Sequence, residues 1–402
     1  MNKILQIKST IGIFLLYEGL PPTTLESQVL AHVSTMSDVG IQMEVWSFAV
    51  RRSAYIEGLA ALPRLKKSFP TLTIRLFRGI WPGLPFSEWY NAGLFLIWLW
   101  WLHVKPSFIH ARTEHAVTIA AIAKRIMNFW LIWDARGDTL SEYKAAHPRL
   151  PSILKWLLKI KTIRIAKRLQ IANRHCDAAI FVSNALLNLQ GRAMPSERIL
   201  VVPCLADESL FYFDPRLRES ARQRLQYKDT DVVIIYVGSN AIWQCVPETI
   251  TIMEQALREN TACKALVVTP NVTMFKEIFS SDLCDRILVT SGGLSEMNQY
   301  MNAADFGILL RKIDPINKVA SPVKFAEYSL AGLVVLATDA VDQVTTIGKS
   351  LGNIVSKDEF TDLCKNGKTK GIDRNELAIN AKRLLGRNAY VEKLVKFYNL
   401  SR

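Results

Sequence analysis

Short runs of β-branched and other apolar residues alternate with longer helical stretches along the whole chain. In the first half the runs are Ile4–Ile7, Met43–Phe48, Leu72–Leu76, Phe108–His110, Leu131–Asp134, Ala178–Val182 and Ile199–Val202. In the second half they are Val232–Val237, Ala265–Thr269, Arg286–Thr290, Phe306–Leu310, Val334–Ala337 and Asn353–Val355. Continuous apolar strands separated by helices predict parallel sheets covered on both faces. Two sets of about six such strands predict two doubly wound α/β domains. The junction falls in the polar stretch Ala206–Tyr227, which carries Pro215. The expected domains are therefore 1–213 and 214–384, with a C-terminal helical segment, 385–402, rejoining the first. In open α/β sheets ligands bind at the carboxyl ends of the strands, so the residues just after each strand are where chemistry is sought.

Composition bounds the class. Half of the 402 residues are hydrophobic and 21% are charged, enough apolar surface for two cores and too much for disorder. The longest apolar run, Ala92–Val104, is about 20 Å long as a helix, short of the ~30 Å hydrocarbon core. It precedes the Phe108–His110 run and is expected as a buried helix of the first domain. The N-terminal Met1–Leu5 reads as the start of a first strand rather than a signal peptide. A soluble or surface-bound protein is expected. Six cysteines without CxxC spacing read as reduced thiols, not a disulfide frame or a zinc site.

The net charge of +14 is unevenly placed. Residues 1–213 hold 25 Lys and Arg against 14 Asp and Glu, while residues 214–402 hold 25 against 22. An anionic partner, a lipid surface or a nucleic acid, is therefore expected for the first half.

The stretch Ser321-Pro-Val-Lys-Phe-Ala-Glu-Tyr-Ser-Leu-Ala-Gly332 reads as a helix, with Ser321 as N-cap, Pro322 in the first turn and Gly332 at its end. Lys324 then sits at the positive end of the macrodipole, where a cation is locally disfavoured. A helix N-terminus beside a lysine makes an anion site, and phosphate is the usual anion. Glu327, one turn on, is placed to accept ribose hydroxyls; the plain alternative is a Lys–Glu pair on a capped helix.

Val319–Val335, which contains this stretch, resembles the nucleotide-sugar motif of GT-B glycosyltransferases, specifically the family 4-like retaining group. Other segments fall in that family's order. Ile109-His-Ala-Arg112 resembles the strand-end motif of its acceptor domain, and Trp133-Asp-Ala-Arg-Gly137 its Asp-x-Arg-Gly motif. Cys176–Ser183, Arg198–Pro203, Tyr236-Val-Gly-Ser239 and Asn302–Arg311 resemble further segments in sequence. The chain departs from the family where the first of two paired glutamates becomes Val319, and where a cation pair after the first donor strand becomes Gly238-Ser-Asn-Ala-Ile-Trp243.

The resemblance implies two Rossmann-like domains facing across a cleft, a nucleotide-sugar donor, a glycan or lipid-linked acceptor and synthesis of bacterial surface polysaccharide. It implies no cofactor and no metal, the nucleotide-sugar being a substrate. Donor-binding residues are then Gly238, Ser239, Gly292, Gly293, Arg311, Ser321, Lys324 and Glu327. Arg311, Lys324 and the helix amides would stabilise the leaving diphosphate. Gly292-Gly293 is either an ordinary turn or a close backbone approach to base or sugar. Arg112, Asp134 and Glu327 are the catalytic candidates. Arg112 and Arg136 would hold phosphate or acceptor, and Asp134 or Glu114 would receive the acceptor proton. Asp134 with Arg136 also reads as a structural ion pair, and His110 as a buried, satisfied histidine.

Residues 149–174 carry eight basic side chains and no acidic one, interleaved with Leu and Ile. That pattern predicts an amphipathic helix on an anionic membrane surface, with Lys155, Lys159, Lys161 and Arg164 on the membrane face; the alternative is a solvated face. A location at the inner face of the cell membrane follows. No nucleic-acid-binding motif is present, so no nucleic-acid partner is expected.

Overall fold

The computed structural model describes residues 11–20, 25–146, 155–191, 194–368 and 371–400. The chain divides into two compact units, one made of Met1–Val202 with Tyr390–Arg402, the other of Pro203–Ala389. The division thus falls at Val202, upstream of the expected 213, and the return to the first unit begins at Tyr390 rather than 385.

The first unit opens with β1 (Gly12–Leu16), α1 (Ala31–Asp38), β2 (Met43–Ala49), α2 (Arg52–Ser68), β3 (Ile74–Arg78) and α3 (Ser87–Trp101). It continues through β4 (Phe108–Arg112), α4 (Thr113–Ala123), β5 (Trp130–Ala135), α5 (Thr139–Ala146), α6 (Lys155–His175), β6 (Ala178–Phe181), α7 (Asn184–Gln190) and β7 (Ile199–Val201). Its sheet runs in the order β3-β2-β1-β4-β5-β6-β7. All its pairings are parallel. The expected first strand, Ile4–Ile7, lies outside the described residues. The central strand is β1, buried along its whole length. Gly12 opens it because a Cβ there would overlap the Phe108 ring of the neighbouring β4.

The second unit holds α8 (Pro215–Arg224), β8 (Val232–Val237), α9 (Val246–Glu259), β9 (Cys263–Val268), α10 (Val272–Ile278), β10 (Ile287–Thr290), α11 (Leu294–Ala303) and β11 (Phe306–Leu309). Then come α12 (Pro315–Val319), α13 (Val323–Leu330), β12 (Val334–Ala337), α14 (Asp342–Leu351), β13 (Ile354–Val355), α15 (Lys357–Lys365) and α16 (Arg374–Leu385). The last helix, α17 (Val391–Asn399), belongs to the first unit. The second sheet has the order β10-β9-β8-β11-β12-β13, again all parallel. Helices on both faces bury it in two apolar layers, one around Met253 and Phe275, the other around Tyr328 and Leu333.

In both sheets the chain winds outward from the central strand and then reverses. The reversal leaves a crevice at the carboxyl ends of β1 and β4 in one unit, and of β8 and β11 in the other. All six cysteines are unbridged.

The helix expected to be buried, at Ala92–Val104, is only half so. Ala92, Phe95 and Leu99 of α3 pack on the sheet, whereas Ile97, Trp100 and Trp101 are exposed. Periodicity could not reveal this, because α3 is apolar all round and carries no polar stripe to mark a solvent face.

Candidate functional site

In the second unit the crevice is built on Gly238, the residue after β8. Its φ of +154° suits glycine, and a Cβ would overlap the Lys324 ammonium. Tyr236 at the end of β8 donates to the Ser239 carbonyl at 2.7 Å, closing the loop that follows. The Lys324 ammonium lies over the Tyr236 ring, 5.3 Å from its centre. Tyr328, one turn further along α13, accepts the Val237 amide at 3.0 Å and fixes the helix to the strand end.

Lys324 Nζ donates to Gln244 Oε1 at 2.8 Å. The Arg311 guanidinium, just past β11, donates to the same oxygen at 3.2 Å and to the Leu310 carbonyl at 3.0 Å. Thr338, after β12, holds Arg311 in place by accepting its amide and donating to its carbonyl. Among the described residues no carboxylate pairs with either cation. Burial and the neighbouring Arg311 bring the Lys324 ammonium down to about 7. Burial also lowers Arg311. Burial raises the Glu327 carboxyl to about 7, only partly offset by Lys324. Two cations with no carboxylate bonded to them, at a helix N-terminus, offer positive charge of the kind that complements an anion.

Ser321 does not cap the helix. The helix begins at Val323 with Pro322 in the cap position, and Ser321 Oγ instead accepts the Cys204 amide at 2.8 Å. The Phe325 amide donates to the Pro322 carbonyl at 3.1 Å, and without a capping side chain the amides of Val323 and Lys324 face a ligand. Gly292 and Gly293 lie after β10, two strands from β8. Gly293 is the N-cap of α11, its amide held by the Glu296 carboxylate at 2.9 Å. They form an exposed capping turn and touch neither Lys324 nor Arg311. Gln244 escaped the sequence reading because an uncharged residue in a short loop carries no motif. Its only signal was the absence of any cation between Gly238 and Trp243.

In the first unit the matching crevice is a cavity of about 170 Å³, lined by Glu18, Arg112, Glu114, Arg136, Gly137 and Glu142 among others. Arg112 ends β4, buried. It donates to Gln28 Oε1 at 2.9 Å, its Nε stands 3.6 Å from Glu18, and one terminal nitrogen has no partner. Next to it Thr113 has φ +72°, a left-handed conformation that a β-branched residue rarely adopts.

Asp134 forms the ion pair with Arg136 that was the alternative to a proton acceptor. Its carboxylate is fully buried, with Arg136 Nε 2.8 and 2.9 Å from its two oxygens. His110 Nε2 stands 3.3 Å away, close but poorly aligned. Burial opposes the charge, yet Arg136 and His110 hold the carboxyl well below its ordinary range. Held this way it stays charged and paired. His110 is in turn bonded through Nδ1 to the Tyr398 hydroxyl at 2.6 Å, and the same hydroxyl meets His32 Nε2 at 2.8 Å. That chain anchors α17 to the first sheet. Glu114, the other carboxylate expected to take the proton, lines the cavity, accepts the Thr139 hydroxyl at 3.0 Å, and burial raises its carboxyl above the usual range.

Of the residues expected on the membrane face of α6, two turn toward the protein. Arg164 donates to the Gly83 and Leu84 carbonyls and pairs with Glu88 at 2.9 Å. Lys161 folds over the Tyr143 ring, 4.3 Å from its centre. Lys159 is exposed. Residues 147–154 and the side chain of Lys155 lie outside the described part of the chain.

No family model and no curated protein matches the chain. Solved structures do. HepE of Anabaena in complex with UDP is 14% identical, with a TM-score of 0.68 over 97% of this chain and 99% of that one. The lipopolysaccharide outer core galactosyltransferase WaaB is 12% identical, with a TM-score of 0.66 over 98% and 100%. WaaG, a glycosyltransferase of lipopolysaccharide biosynthesis, is 14% identical, with a TM-score of 0.59 over 95% of each chain. At these identities the likeness is one of fold, and the fold is GT-B.

Proposed function

We propose that this chain is a glycosyltransferase that moves a sugar from a nucleotide-sugar to a glycan or lipid-linked acceptor in surface-polysaccharide synthesis, at the inner face of the cell membrane. The observation that carries the reading is the convergence of Arg311 and Lys324 on Gln244 Oε1, with no carboxylate bonded to either among the described residues, beside the uncapped first turn of α13. HepE, which has the same fold, is described in complex with UDP and with UDP-glucose.

In this reading the diphosphate replaces Gln244 between the two cations, and the Glu327 carboxylate accepts ribose hydroxyls. The bond from the anomeric carbon to the diphosphate breaks, and its electron pair leaves on the phosphate oxygen. Arg311, Lys324 and the α13 amides stabilise that charge where it develops. The acceptor oxygen bonds to the anomeric carbon from the face the diphosphate leaves, as retention requires, and its proton passes to a carboxylate, for which Glu114 is the candidate in the first unit. Arg112 and Arg136 orient acceptor or phosphate groups. Retention of configuration and independence of divalent metal belong to the same proposal. The only Asp-x-Asp, Asp229-Thr-Asp231, stands at the amino end of β8, away from the strand ends where ligands bind.

One observation favours a second reading, a non-catalytic protein that binds nucleotide-sugar or glycan. Val319, at the place of the family's first paired glutamate, is apolar and buried. Slow hydrolysis of UDP- and GDP-sugars separates the two. Released nucleotide supports the transferase; tight binding with no release supports the binding protein.

A further inference from the structure

Most of the exposed aromatic side chains among the described residues of the first unit lie on α3, and nothing in the donor or acceptor chemistry uses them. Trp89, Ile97 and Trp100 recur at helical spacing along one stripe, with Tyr90 and Trp101 beside them, all exposed. Trp100 is 79% exposed. The segment before the helix adds Trp81, Leu84 and Phe86. Phe86 is 71% exposed and sits in the left-handed region, φ +56°, a strained conformation for a bulky residue. The only charged residue of α3, Glu88, is occupied by Arg164 at 2.9 Å and Arg168 at 2.6 Å. These two arginines also donate to the carbonyls of Pro82, Gly83 and Leu84. The basic residues of α6 therefore act inward here: they hold the 81–86 segment in a fixed shape with its aromatic side chains outward.

Beside the stripe, α3, α4 and α6 enclose a groove of about 240 Å³, with Trp89, Ile122 and Ile171 in its wall. Arg125, Lys167 and His175 line its rim. The Arg125 guanidinium lies over the Trp89 ring, 5.7 Å from its centre. Among the described residues neither Arg125 nor Lys167 has a carboxylate partner, and Glu88, the groove's one acid, is already doubly paired. At about 22 Å, α3 is too short to cross a bilayer, and no described helix is long and apolar enough to do so.

We propose that the outer face of α3, with the 81–86 segment and this cationic groove, docks on an anionic lipid bilayer. Tryptophan and tyrosine rings favour the boundary between headgroups and hydrocarbon. Arg125 and Lys167 receive the lipid phosphates, and the apolar wall of the groove receives the acyl edge. A second copy of the chain would set these cations against themselves, whereas an anionic surface complements them. The inference takes its class of partner from the membrane-peripheral reading above. It differs in placing the contact on α3 and the groove beside it, which Lys167 of α6 lines, rather than on the Lys155–Arg164 part of α6.

The test is co-sedimentation of the full chain with phosphatidylcholine vesicles, with and without phosphatidylglycerol, at low and high salt. Expected is binding that needs phosphatidylglycerol and weakens with salt. Trp100→Ser with Trp101→Ser, and separately Arg125→Glu with Lys167→Glu, should each reduce partitioning about tenfold or more. All four side chains are at the surface, so unchanged circular dichroism and melting would show that both variants fold. Equal sedimentation of both variants with wild type overturns the inference. So does loss of binding only in Lys159→Glu with Lys161→Glu, which would return the contact to α6. A wild-type dimer that the tryptophan variant dissociates, with vesicle binding unchanged, assigns the face to self-association and also overturns it. Vesicle binding needs no nucleotide, so failure here leaves the donor-site reading standing, and loss of nucleotide binding leaves this one.

Discussion

Lys324 and Arg311 meet on one oxygen, Gln244 Oε1, at 2.8 and 3.2 Å, and neither has a carboxylate partner among the described residues. An amide oxygen carries only a partial charge, so it occupies the cradle without neutralising it. Replacing Gln244 by Glu supplies the missing anion from within. Gln244→Glu should therefore weaken nucleoside-diphosphate binding by tenfold or more, while Gln244→Ala should leave it unchanged or tighter; hydrogen bonds to charged groups are worth about 1.5–3 kcal/mol. Trp243 is the only tryptophan in residues 203–389 and is exposed beside Gln244, so its fluorescence reports the titration. Equal affinity in Gln244→Glu and wild type would show that the diphosphate does not enter between these cations.

The same cradle makes binding depend on pH. Lys324 titrates near 7 in the free protein, and a bound diphosphate favours its charged form. Affinity should fall as pH rises from about 6.5 to 8.5, as the free site loses its proton. Lys324→Arg stays protonated and should flatten that slope in calorimetric titrations. A slope of the same steepness in the arginine variant would assign the dependence to another group.

Holding Lys324 in this place costs stability. Its folded value lies below the unfolded one, so between about pH 7 and 10.5 the unfolded chain binds more protons and stability rises with pH. Below that window the ammonium is buried at a cost. Lys324→Met should thus raise the melting temperature at neutral pH while abolishing diphosphate binding. A lower melting temperature would mean that the lysine stem contributes more by packing than its charge costs.

The chain Asp134–His110–Tyr398–His32 is a structural device in the first unit. Tyr398→Phe removes the hydroxyl that meets both imidazoles and should destabilise the protein by about 1–2 kcal/mol, read by chemical denaturation. Glu114→Gln should lower glycosyl transfer while leaving folding intact, whereas Asp134→Asn should lower both together. If Asp134→Asn folds normally and loses only turnover, Asp134 is the proton acceptor after all.

The two sheets were legible because parallel strands buried on both faces read as unbroken apolar runs. Val232–Val237 and Val334–Ala337 appear in the structure with the bounds the sequence suggests. Lys324, Glu327 and Arg311 were legible through a motif in the right order. What stayed hidden was set by tertiary contact. Ser321 looks like a cap, but its hydroxyl meets Cys204 across a gap of more than a hundred residues. Asp134 and Glu114 are equivalent carboxylates in the sequence; only packing gives one a paired arginine, Arg136, and the other a cavity. The run of basic residues on α6 looked like an outward face until Glu88, far upstream, turned two of its arginines inward.

The central claim is that Arg311 and Lys324 hold the diphosphate of a nucleotide-sugar. Calorimetric titration of UDP, GDP and the corresponding nucleosides into wild type, Arg311→Ala and Lys324→Ala tests it directly. Expected is a diphosphate that binds wild type well above its nucleoside, with each variant losing about tenfold or more for the diphosphate and little for the nucleoside. Equal losses for nucleotide and nucleoside, or no preference for the diphosphate in the wild type, would contradict it.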